Sequence, residues 1–269
     1  MDQTQAFETG LSPFIAFRDR AACERARAIP RARLTEHANP DFRIAVVDDA
    51  GEFYRRFAED LVGRIRAARD EGRQFVAILP VGPMPQYEIA AGLINDERLS
   101  LAHVHTFNMD EYADEHGVTA PPSWPGSFQR AMWERFFALV DPELRPPESQ
   151  IHFPTGDTIG DYSARLEDLG GADVCYGGIG RSGHIAFWEP QLGAEYDGDL
   201  DAYRQAGARH RSFWLDGDLG GGVSWQRFIA RLVAHGPVSE FVPGSLLQTA
   251  RSDYTILGNV ADDVEIHMS

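Results

Sequence analysis

Strand-like runs alternating with helix-period segments predict an α/β fold, a mostly parallel sheet with helices on both faces. Three observations carry this. Residues 74–79 hold the unbroken apolar run Phe75, Val76, Ala77, Ile78 and Leu79, typical of a strand buried on both faces. Just before it, Phe53, Phe57, Leu61 and Ile65 recur at helical spacing. Further runs at 101–107 and 172–177 are each preceded by a helical segment.

In chain order, residues 1–41 read as an N-terminal extension, with an Arg- and Ala-rich helix over 18–33 that Ala38-Asn39-Pro40 ends. From residue 42 a single domain runs to 269. Residues 43–47 form a short β-branched strand, and Asp48-Asp49 caps the helix that follows, which runs to Arg69 and stops before Gly72. After strand 74–79 the turn Val81-Gly82-Pro83-Met84-Pro85 leads into a helix over 86–95. Strand 101–107 ends at Asn108-Met109-Asp110-Glu111-Tyr112. A loop rich in Pro, Gly and His then precedes a helix over 127–139. A helix over 161–169 leads to strand 172–177 and the loop Gly178-Ile179-Gly180-Arg181-Ser182-Gly183-His184. Residues 193–222 are dense in Gly and Asp and carry no clear period. A helix over 224–234 and a segment at 254–257 complete the pattern.

Composition removes several function classes. With 43% hydrophobic residues in 269, the chain can bury a substantial core, which excludes a disordered chain. Forty-one acidic against 25 basic residues give a formal charge of −16, which argues against a nucleic-acid or anionic-membrane partner. A small anion stays compatible, because a helix N-terminus and a few arginines can hold phosphate locally. Cys23 and Cys175 have no metal-type spacing and form no disulfide framework. The start of the chain lacks the charge and apolar pattern of a signal peptide, and no apolar run has the length of a membrane span, so a cytoplasmic location is expected. The sequence leaves a homo-oligomer open.

Ligands of open parallel sheets bind beyond the carboxyl ends of the strands. Loops 81–85, 108–112 and 178–190 leave such ends and are expected to converge. The glycines of 177–183 let backbone approach a ligand, though the same glycines suit a tight turn. His184 and Glu189 sit in the apolar setting Ile185-Ala186-Phe187-Trp188, as a candidate acid/base pair or as hydrogen-bonded core groups. Asp110 and Glu111 repel each other, so one of them can act as a base near neutrality, or the pair can cap a helix. His103 and His105 alternate on the preceding strand and open a metal-site reading with Asp110, without catalytic-zinc spacing.

Two segments resemble the signatures of the glucosamine-6-phosphate deaminase/isomerase family, which is related to 6-phosphogluconolactonases. They are Thr106-Phe107-Asn108-Met109-Asp110-Glu111-Tyr112 and the run Gly178-Ile179-Gly180-Arg181-Ser182-Gly183-His184-Ile185-Ala186-Phe187-Trp188-Glu189-Pro190. The similarity extends more thinly over 44–192 and 238–248. It implies a Rossmann-like parallel sheet and conversion of an aminosugar phosphate to a ketosugar phosphate and ammonia, with no redox cofactor and no metal. It implies Asp110 as the base that moves a proton from C2 to C1, supported by Glu111. It implies His184 as the group that opens the ring, with Glu189 orienting its imidazole. Gly82, Met84, Gly180, Arg181, Ser182, Gly183 and Arg209 fall to substrate binding.

Three features depart from the family. Ser182 stands where the family usually has an aspartate of the histidine relay, and serine carries no charge to stabilise an imidazolium. The family's phosphate turn Thr-Gly-Gly-Thr-Pro is here Val81-Gly82-Pro83-Met84-Pro85, poorer in N–H and hydroxyl donors. The stretch after Glu189-Pro190 with its phosphate-contacting basic residues is contracted or absent, and Arg209, His210 and Arg211 are candidates to replace that charge. The alternatives are a sugar-phosphate lactone hydrolase and a non-catalytic sugar-binding or regulatory protein.

Overall fold

The computed structural model describes residues 19–82, 84–114, 116–179, 183–186, 188, 190–206, 231–249 and 254–258. Helix α1 (Arg20–Arg27) begins at Asp19, whose carboxylate accepts the Ala22 N–H at 2.9 Å. It is shorter than the expected 18–33 because Pro30 cannot continue a helix, and Arg31–Arg33 forms a separate 3-10 turn. Ala22 and Ala26 pack against Leu232, Val233 and Val242.

Strand β1 (Phe42–Val46) is followed by α2 (Ala50–Asp70), capped by Asp49 through the Glu52 N–H at 2.7 Å. Then come β2 (Phe75–Leu79), α3 (Pro85–Asp96), β3 (Val104–Asn108) and α4 (Phe128–Arg135). Strand β4 (Ile151–His152), helix α5 (Tyr162–Asp168), strand β5 (Val174–Cys175), helix α6 (Leu200–Arg204) and strand β6 (Tyr254–Gly258) complete the order. β3 starts three residues later than the sequence suggests, because a turn precedes it in which the Val104 N–H bonds to the Leu101 carbonyl. α4 also ends early, at Phe136, whose backbone is not helical; a 3-10 turn follows.

Every pairing of named strands is parallel. β4, β3, β2 and β5 form one sheet in that order, and β1 pairs with β6 in a second, with Phe42 opposite Tyr254. Alternation along β2 builds the core on both faces. Phe75, Ala77 and Leu79 join the large cluster with α2, α3 and α4, while Val76 and Ile78 pack with Phe107 and Tyr162 on the side of α5. The chain steps from β2 outward to β3 and β4, then returns to place β5 on the other side of β2. Such a reversal is where open parallel sheets bind ligands, here beyond the carboxyl ends of β2 and β5, next to the end of β3. No helix among the described residues is long and apolar enough to cross a membrane.

Candidate active site

The loop after β3 supplies the first half of the crevice. The Met109 N–H extends the ladder to the Leu79 carbonyl at 2.9 Å, so the chain leaves the sheet only at Asp110. Buried Asn108 donates from Nδ2 to the Asp110 carbonyl at 3.3 Å. The adjacent carboxylates then meet opposite fates. Glu111 Oε1 accepts the N–H groups of Tyr112 and Phe128 at 2.9 and 3.0 Å, and Oε2 accepts the Gln129 N–H at 2.8 Å and the Ser127 hydroxyl at 3.1 Å. Glu111 thus holds the first turn of α4, where N–H groups lack helical partners and a negative charge is favoured.

Asp110 is half-buried without such support. Burial, then the neighbouring Glu111 carboxylate, pushes its pKa up to about 7, and the His184 imidazole pulls the other way. Two groups from loops more than 70 residues apart therefore act on each other electrostatically. Three phenols lie within electrostatic reach of the same carboxyl group. Tyr87 is fully buried and donates to the Pro80 carbonyl at 2.6 Å. Tyr162 donates to the Asn108 carbonyl at 2.8 Å and to the His152 carbonyl at 3.1 Å. Tyr112 stacks edge-on with Trp124 at 5.5 Å. Burial first, with Asp110 as a further cause, raises the pKa of all three. The sequence reading assigned none of these tyrosines to the site. Tyr112 lies inside the segment that drew attention, whereas Tyr87 and Tyr162 need the tertiary fold to reach it.

The loop after β5 supplies the second half. Gly183 is buried at φ +83°, and a β-carbon there would lie 3.0 Å from Val242 Cγ1. Its carbonyl accepts the Gly244 N–H at 2.8 Å, so residues 239–245 brace the chain where His184 begins. His184 is half-buried. Beyond it the Trp188 N–H closes a turn onto the Ile185 carbonyl at 2.8 Å, and the Trp188 ring packs against Tyr203 of α6 at 5.2 Å. Gly180, Arg181, Ser182, Glu189 and Arg209 lie outside the described residues.

At the turn after β2, Gly82 takes φ +88° and directs its N–H to the Met84 sulfur at 3.3 Å. The two histidines of β3 and its approach are occupied elsewhere. His103 Nε2 is 3.0 Å from the Ile65 carbonyl, and His105 Nε2 is 2.9 Å from Gln150 Nε2, with its ring stacked on His152. Among the described residues no group of three or more His, Cys, Asp or Glu has a metal-holding arrangement.

This geometry sets a half-buried carboxyl group and an imidazole within electrostatic reach of each other at the switch point of a parallel sheet, an arrangement that can carry acid/base chemistry. No protein-family model matches the chain. The chain is similar to glucosamine-6-phosphate deaminases. It is 34% identical to that of Caenorhabditis elegans over 151 residues, which is 53% of this chain and 52% of that protein. It is 35% identical to that of Parabacteroides distasonis over 140 residues, 49% of each. The chain spans about half the length of these curated relatives. The solved structure of a monomeric glucosamine-6-phosphate deaminase superposes with a TM-score of 0.60 at 24% identity, over 80% of this chain and 95% of that one. The α/β fold expected from the sequence is therefore the fold found.

Proposed function

We propose that this chain is an enzyme that isomerises and deaminates an aminosugar, with glucosamine 6-phosphate as the reference substrate. In the open-chain sugar the Asp110 carboxylate takes the proton from C2, leaving an enolamine across C1 and C2, and returns it to C1. C2 then carries an imine; water adds there and ammonia leaves, giving the ketose. His184 handles the proton at the ring oxygen during opening, with Glu189 orienting its imidazole, as the family resemblance implies. Glu111 keeps Asp110 in place through α4 and, by its charge, helps to keep the pKa of Asp110 high. Such a proton transfer needs a base whose pKa lies near the working pH.

The observation that carries this reading is the half-buried Asp110 carboxyl group beyond the end of β3, within electrostatic reach of His184 from the loop after β5, where burial and Glu111 push its pKa up. The curated relatives are named glucosamine-6-phosphate deaminase, which supports the same chemistry. The test is ammonia release by the purified chain from glucosamine 6-phosphate and from glucosamine. Ammonia formed in step with ketose supports the reading; none from either sugar, or unchanged release after Asp110→Asn, refutes it.

A further inference from the structure

The loop that carries His184 rests on a segment far along the chain. Ile179, just beyond β5, packs in one apolar cluster with Leu232, Val233 and Val242, and with Ala22 and Ala26 of α1. Further along the same loop, the Gly183 carbonyl accepts the Gly244 N–H at 2.8 Å, with Val242 close against Gly183. Yet the supporting segment belongs to no sheet ladder. After the helical turn that ends at His235 it holds an isolated bridge, Ser239 to Val242, and a 3-10 turn, Pro243–Thr249. Such a segment takes its position from what it is tied to.

Its ties lead to residues ahead of β1. Arg231 Nε donates to the Ile29 carbonyl at 3.1 Å, and His235 Nε2 donates to the Leu34 carbonyl at 3.0 Å. Gln248 gathers the rest. Its backbone carbonyl accepts Asn39 Nδ2 at 2.9 Å, and its Oε1 accepts His37 Nε2 at 3.3 Å. Its Nε2 turns back and donates to the Val233 and Gly236 carbonyls at 2.7 and 3.0 Å. The acceptor and the donor ends of one carboxamide are thus both used. His37 is set for this role: its Nδ1 accepts the Asn39 N–H at 3.0 Å, which leaves the proton on Nε2. Its ring meets Phe42 of β1 edge-on at 4.7 Å.

We propose that residues 19–41 are a strap that positions His184: clasped to 231–249 through Gln248, they hold that segment against the loop after β5. Asn39 and Gln248 are then positioning residues, acting on the imidazole through Ile179 and Gly183. A catalytic group displaced by about 1 Å can cost about a hundredfold in rate, so such a strap matters to turnover. The effect on turnover rests on the aminosugar isomerase reading of the site; the placement of the ring does not.

The test opens the clasp in the full chain with near-isosteric changes. Asn39→Asp keeps the Oδ1 that accepts the Asp41 N–H at 3.0 Å and loses the donor to Gln248. Gln248→Glu keeps an acceptor for His37 and loses the donor to Val233 and Gly236. Imidazole NMR follows three rings. His37 reports the clasp, His184 is assigned with His184→Asn, and His103, bonded to the Ile65 carbonyl just ahead of β3, is the reference. The expected result is that the His37 and His184 signals move together while those of His103 stay. With them, kcat for ammonia release should fall roughly tenfold and KM stay within about twofold, the pattern of misplaced chemistry rather than lost binding. Asn39→Ser gives the same reading if the aspartate variant does not fold. An unmoved His37, movement of His37 without His184, or movement of all three rings alike overturns the proposal. An unchanged kcat beside a displaced His184 ring overturns its catalytic part. If the wild-type chain releases no ammonia, the catalytic reading fails and the ring signals alone decide the strap.

Discussion

Past β3, the Glu111 carboxylate gathers three backbone N–H groups and a hydroxyl, and the loop it fixes carries a second carboxyl group, half-buried and without such support. Past β2, on the neighbouring strand, the chain has two prolines where N–H groups could stand and a thioether taking up a third. One loop concentrates its hydrogen bonds on one carboxylate and leaves its neighbour with a raised pKa. The other lacks the donors that would make it an anion site. The two differ in their polar chemistry: the β3 loop sets a carboxyl group whose pKa is pushed up to about 7, and the β2 turn offers few N–H donors.

The largest expected effect comes from removing the reactive carboxyl group. Asp110→Asn should lower ammonia release roughly a thousandfold while retaining ligand binding, since general-base contributions are of this size. The same variant has a stability signature. In the unfolded chain Asp110 ionises near about 4, and in the fold near about 7. Between those values the folded protein holds the proton that the unfolded chain releases, so stability falls as pH rises from about 4 to about 7 and stays lowered above that. Asp110→Asn removes this loss. It should raise unfolding free energy by about 1–3 kcal/mol at pH 8 and leave it unchanged at pH 4, as read by denaturant titration.

The next effect falls on the brace. Glu111→Gln leaves an acceptor at only one of the two positions that now receive N–H and O–H donors, and should destabilise the chain by about 1–3 kcal/mol. It also removes a charge that raises the Asp110 pKa, so the rising limb of the pH–rate profile should move to lower pH. A limb that stays put would separate Glu111 from the electrostatics of Asp110. A smaller loss, about 1–2 kcal/mol, is expected for Gly183→Ala, which meets φ +83° and Val242 together. Its mark should be a lowered kcat beyond the stability change, because Gly183 positions His184.

Much of the scaffold could be read in the sequence, for local reasons. Phe75–Leu79 declared itself by its apolar run, and Asp49 by standing before a helical repeat. What escaped was set by tertiary pairing. β4 is two residues long, Ile151 and His152, too short to carry a period, and exists because it pairs with Thr106 and Phe107. β6 lies more than 200 residues from its partner β1. At the site, the meeting of the Asp110 and His184 loops followed from strand-end logic. Helix capping was one of the two readings of the acidic pair, and Glu111 takes it; which helix it caps was not legible, because its partners, Ser127, Phe128 and Gln129, come 16 to 18 residues later across an irregular loop.

The most direct test of the account is the titration of Asp110 itself, followed by carbon NMR of side-chain carboxyl groups, with Asp110→Asn used to assign the signal. The account predicts a midpoint near about 7 that falls in Glu111→Gln. A midpoint near about 4, the ordinary aspartate value, would contradict it.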